Sequence, residues 1–179
     1  TILILVWLES SFLVGWLTGP MKVPCSPNLR GFERANQAFR AILHHEIHIA
    51  VLALGIFLVT KDTENYVGLY AFLILWGMRT SSKLNLFFGV RNLYINFLPD
   101  EIAYLSTYFR QKSCNALFPF LFALAFTINL LFWNNALMSF GTSQHVGNIL
   151  LASLMTLGVL EHILICLLYT SDAADDDHC

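Results

Sequence analysis

Residues 75–98 read LWGMRTSSKLNLFFGVRNLYINFL, and the fold turns on how they are understood. The stretch begins inside an apolar run long enough to cross a bilayer, yet it carries Arg79, Lys83, Asn85, Arg91 and Asn92. A cation near the centre of a membrane helix costs roughly 3 kcal/mol or more. Such a cost calls for an acidic partner, a polar cavity, or a route by which the side chain returns to the interface. The remainder of the chain has to supply one of these.

The surrounding composition supports the membrane reading. Of 179 residues, 56% are hydrophobic and 12% charged, whereas soluble domains carry about 25% charged residues. Apolar segments at residues 1–19, 41–60, 66–90, 117–138 and 147–168 each approach or exceed the roughly 18–20 residues that span a bilayer. They predict an all-α polytopic bundle of five transmembrane helices, a single domain over residues 1–168. The breakers GPMKVPCSPN, KDTEN and FGTSQ punctuate it. Thr18-Gly19-Pro20 ends the first segment by Gly and Pro chemistry, while Gly15 and Gly19 form a GxxxG that could also mark helix–helix contact. Trp7, Trp16, Trp76 and Trp133 read as lipid-facing or interfacial residues. The four cysteines have no CxxC spacing and read as isolated thiols. There is no phosphate loop, nucleophile elbow or nucleic-acid patch, so no nucleic-acid partner is expected.

The two ends read differently from the middle. The chain opens mid-helix without an initiator methionine, as expected of a piece lacking an N-terminal portion. Residues 166–175, CLLYTSDAAD, resemble the in-frame translation of a sequencing adapter. Residues 169–179 are therefore expected to be a non-native tail, and residues 171–179 carry no weight for the fold.

Orientation follows from Lys and Arg. Lys22, Arg30, Arg34 and Arg40 lie between the first two segments. Arg79, Lys83, Arg91, Arg110 and Lys112 lie at the end of the third and in the loop after it. Lys61 alone falls on the other side, nine against one. Loops 20–40 and 91–116 are thus expected in the cytoplasm, in a multi-pass protein of a bacterial inner membrane. Both loops have scattered apolar residues. Leu29, Phe32, Ala35 and Phe39 in one, and Leu98, Ile102, Leu105 and Phe109 in the other, fit either short surface helices or polar connectors.

Counting about 1.5 Å per residue from the cytoplasmic boundary puts Arg79 roughly 16 Å deep and Glu9 roughly 15 Å deep. Lys83, His45 and Glu161 come out shallower. Arg79 and Lys83 share one helix face, and Glu9, Glu46 and Glu161 are the carboxylates able to neutralise them. A polar layer drawn from four helices is the economical arrangement. It could fix helix packing. It could instead receive a ligand or partner, such as a tetrapyrrole metal taking an imidazole nitrogen or a carboxylate meeting Arg79 and Lys83. A third reading is a metal centre, for which His45, His48, Glu46, Glu161 and His162 are the available donors. HHEIH is not HExxH, however: His45 and His48 are three apart and Glu46 points to another face.

Several stretches resemble a known family. They are ESSFLVGWLTGP (residues 9–20), RGFERANQAFRAILHHE (30–46), LWGMRTSSKLNLFFGVRNL (75–93), NFLP (96–99), YLSTYFRQKSCNALFP (104–119) and VLEHILI (159–165). Together they make the chain similar to the photosynthetic complex assembly proteins called PuhE. MRTSSKLNLFFGVRNL is the most specific part, being long and of mixed polarity. The chain departs from that family at Leu8, where members carry His, and members have further N-terminal spans. The resemblance implies a non-catalytic integral membrane factor for assembling reaction-centre and core-antenna complexes, with those subunits, membrane lipid and a bacteriochlorophyll or other tetrapyrrole as partners. A membrane enzyme or metal-binding protein acting on a lipid or pigment precursor is the alternative. Candidate positions carried over are Glu9, His45, Glu46, Arg79, Lys83, Asn85, Arg91, Asn92, Glu161 and His162.

Overall fold

The computed structural model describes residues 2–89, 98–110 and 115–168, with side chains of the last helix described to residue 164. Among the described residues there are helices and no strands: α1 (Ile2–Leu13), α2 (Gly31–Thr60), α3 (Val67–Phe88), a 3-10 helix (Asp100–Tyr108), α4 (Leu117–Met138) and α5 (His145–Leu168). Three of these, α2, α4 and α5, are long and apolar enough to cross a membrane. α3 has the length, with 22 residues, but Arg79, Ser81, Ser82, Lys83 and Asn85 dilute its apolar character. α1 is apolar and 12 residues long. The chain divides into two compact units. One holds Thr1–Phe72 and Leu93–Arg110, the other Leu73–Asn92 and Gln111–Cys179.

In the first unit, α1 stops at Leu13, earlier than Thr18-Gly19-Pro20 suggested. Gly15 takes φ +77°, the amide of Trp16 donates to the Ser11 carbonyl at 2.9 Å, and the amide of Gly15 donates to the Phe12 carbonyl at 3.0 Å. That pair of bonds is the Schellman stop, which needs a residue free to adopt left-handed backbone. Gly15 and Gly19 thus lie beyond the helix and cannot form a helix-face GxxxG. Each instead allows a close approach, Gly15 to Glu101 and Gly19 to His44, where an added Cβ would lie 2.8 and 2.6 Å from the neighbouring Cβ.

α2 runs unbroken for 30 residues, so the amphipathic stretch before residue 41 continues the spanning segment instead of forming a separate surface helix. Its buried face is Arg34, Ala41, His45 and Ile49, the spacing of one helical stripe. After α2, the Asn65 side chain accepts from the Val67 amide at 3.1 Å and caps α3.

The 3-10 helix buries Ile102, Leu105 and Tyr108. A spacing of three is the one that stacks on a face at three residues per turn. The α-helical period expected from the sequence favours Phe109, whereas the 3-10 turn buries Tyr108. These residues form one core with Phe12 and Ala41, and with Cys25, Ala38, Ile42 and Leu98 at its margin. Each large side chain removed from water there contributes about 1.5–3 kcal/mol.

In the second unit α4 and α5 form a hairpin across the turn at residues 139–144. Met78, Ala125, Met155 and Val159 are its core, flanked by Ile74, Phe122, Ile128 and Phe132. α5 lies close to Met78 of α3 at Gly158, where a Cβ would come within 2.9 Å of the Met78 Cγ.

Candidate functional site

The buried polar groups of each unit identify where chemistry or recognition could reside. In the first unit His45 is fully buried, and its Nε2 lies 3.7 Å from Glu9 Oε1. That separation is a close electrostatic contact and too long for a hydrogen bond. The Phe12 ring packs on the imidazole with centroids 4.3 Å apart. Neither nitrogen of His45 has a hydrogen-bond partner among the described residues. The adjacent histidines face elsewhere: the His44 and His48 rings are 4.8 Å apart, and His48 Nδ1 lies 2.7 Å from the His44 carbonyl oxygen. HHEIH thus divides between a buried position and a more exposed pair.

Below His45, Arg34 is buried, and its Nη2 donates to the Tyr108 carbonyl at 2.7 Å and to the Phe109 carbonyl at 3.4 Å. A guanidinium at the C-terminal end of a helix satisfies orphan carbonyls and complements the helix dipole. The Tyr108 hydroxyl donates to the Val23 carbonyl at 2.8 Å, and the Cys25 amide donates to Thr107 Oγ1 at 2.7 Å. The loop after α1, α2 and the 3-10 helix are thereby strapped together. Burial raises the pKa of Tyr104. Burial, then the neighbouring Cys25 and Tyr104, raise that of Tyr108.

In the second unit Asn85 and His162 are both buried. Asn115 Nδ2 donates within reach of the Gly89 carbonyl at 2.9 Å, Asn85 Oδ1 at 3.2 Å and the Asn85 carbonyl at 3.4 Å. Its Oδ1 accepts from the Phe118 amide at 2.7 Å, which caps the start of α4. His162 Nε2 is 2.8 Å from Ser81 Oγ and its Nδ1 3.1 Å from the Gly158 carbonyl oxygen. Between α4 and α5, Trp133 Nε1 donates to Thr156 Oγ1 at 2.9 Å, and that hydroxyl can donate to Asn129 Oδ1 at 3.0 Å. Trp133, read as a lipid-facing or interfacial residue, therefore has its polar edge turned to a partner helix.

The remaining predicted positions are placed as follows. Glu46, Lys83 and His48 are half-buried, and Arg79 and Glu161 are exposed and form no ion pair with each other. Arg91 and Asn92 lie outside the described residues. Among the described residues no three His, Cys, Asp or Glu side chains converge as metal ligands. Sequence reasoning missed Arg34, Tyr108, Asn115 and Thr156 as structural polar residues. For Arg34 a signal was available: it shares a helical stripe with Ala41, His45 and Ile49.

Comparison with known proteins adds a family and a relative. The model of the family described as "Protein of unknown function (DUF3623)" matches residues 1–173. A Rhodobacter capsulatus protein named "Uncharacterized 30.4 kDa protein in puhA 5'region" is 32% identical over 156 residues, covering 87% of this chain and 57% of that protein. The chain therefore spans little more than half of that relative's length. No solved structure matches.

Proposed function

The chain belongs to the DUF3623 family, and from that premise we propose that it is a PuhE-type integral membrane factor for assembling bacterial photosynthetic complexes, acting without catalysis. The observation that carries the reading is the relative named for the puhA 5' region. The packing is compatible with it. The buried side chains of Asn85, Asn115, Asn129 and His162, with the half-buried Thr156, hydrogen-bond to groups of their own unit, as helix-fixing residues do.

In this reading the protein crosses the inner membrane five times, with loops 20–40 and 91–116 in the cytoplasm. The candidate positions for recognising a reaction-centre or core-antenna subunit are Glu9, His45, Glu46, Arg79, Lys83, Asn85, Arg91, Asn92, Glu161 and His162. A second reading, a tetrapyrrole- or metal-binding membrane protein, is favoured by His45, whose buried imidazole has no hydrogen-bond partner among the described residues.

Affinity capture of the full-length protein from phototrophically grown membranes separates the two. Reaction-centre or core-antenna subunits in the eluate, without stoichiometric metal, are the expected result. Stoichiometric iron or zinc that disappears in His45→Ala would replace the assembly reading with the second one.

A further inference from the structure

α2 carries a second stripe on the side opposite its buried face. Arg40, His44, Ile47, Val51, Leu54 and Leu58 are all exposed. At about 100° per residue they fall within a band about 80° wide. The two polar members are both at one end, and every other position is a branched aliphatic residue. At that polar end an open cleft of about 310 Å³ is lined by Gly19, Met21, Arg40, Leu43, His44 and Ile47. Gly19 forms its wall at φ +75°, pressed so closely on His44 that a Cβ would lie 2.6 Å from the His44 Cβ.

From this geometry we infer a binding site for one anionic glycerophospholipid, its phosphate at Arg40 and His44 and an acyl chain along Ile47 and Val51. Three features select that occupant. Arg40 is the last charged residue before the spanning run except for Glu46, which lies off this stripe, so it stands at headgroup level. Its planar guanidinium matches phosphate oxygens in a bidentate manner. From Arg40 to Val51 the helix rises roughly 16 Å, close to the roughly 15 Å of one leaflet's hydrocarbon. The stripe has none of the small residues that let another helix approach closely. Glu33 shares the band but lies about 10 Å further toward water, clear of the phosphate level. The site does not depend on the assembly reading.

The test is native mass spectrometry of the detergent-purified full chain titrated with palmitoyl-oleoyl phosphatidylglycerol. One retained lipid per chain is expected, held less well when phosphatidylcholine is used. Arg40→Ala should weaken retention about fivefold, the factor that one interfacial cation implies. Val51→Asn, which spares the cleft, should weaken it too, and Arg30→Ala should leave it unchanged. Equal retention in all variants would overturn the site. Competition by millimolar inorganic phosphate would overturn the lipid in favour of a soluble anion. Efficient chain-to-chain crosslinking through Val51→Cys would overturn it in favour of a second protein helix.

Discussion

His45 Nε2 stands 3.7 Å from Glu9 Oε1, joining α1 to α2 through an imidazole that no solvent reaches. Removing one member leaves the other in a poorly hydrated site, so the two substitutions should not add. His45→Ala is expected to destabilise by about 2–4 kcal/mol, since it also opens a cavity beside Phe12. Glu9→Gln should cost less. The double mutant should show a coupling energy of about 1 kcal/mol. Unfolding in detergent, followed by circular dichroism for all four proteins, measures it, and strict additivity would argue against the contact.

Tyr108 sets a limit at high pH. Its folded pKa is raised above the ordinary 10.0, so the native state holds the phenol proton more firmly than the unfolded chain. Stability from this group is complete below pH about 10 and is lost as pH rises through the folded value. Ionisation also removes the donor to Val23. Tyr108→Phe should cost about 1 kcal/mol at neutral pH and flatten the alkaline loss. Melting temperature against pH from 8 to 11 for both proteins checks the sign.

Asn115 offers two amide hydrogens to three oxygens and takes the Phe118 amide on its own oxygen. Asn115→Asp keeps the helix cap but sets a carboxylate against the acceptors of Asn85 and Gly89. A loss of about 2–4 kcal/mol is expected, against a smaller loss for Asn115→Ser. The order of melting temperatures, wild type above Ser above Asp, is the readout.

The helices were legible because apolar runs of this length admit few alternatives. Their ends were less so. Gly15 and Gly19 are equally good stops on paper, and only the bonds to Ser11 and Phe12 select the first. The stretch around residues 98–109 does not reveal its period, because Phe109 and Tyr108 are adjacent and both apolar enough to serve. Glu9 and His45 were named as site residues from their depth, but Glu9's contact with His45 could not be deduced, since sequence depth gives a level and no azimuth. Arg34 was counted as a loop charge because the positive-inside rule assigns cations to the water side without asking what their side chains cap.

α2 is about 45 Å long at 1.5 Å per residue, against a hydrocarbon layer of about 30 Å. Roughly ten residues therefore project beyond the bilayer as a stiff arm, with Arg34 near its tip gripping the Tyr108 carbonyl. The helix is unbroken between that grip and His45, eleven residues further along the same rod. A binder that pushed on residues 98–110 would rock the whole rod like a tiller, and the Glu9 contact at His45 would register the stroke.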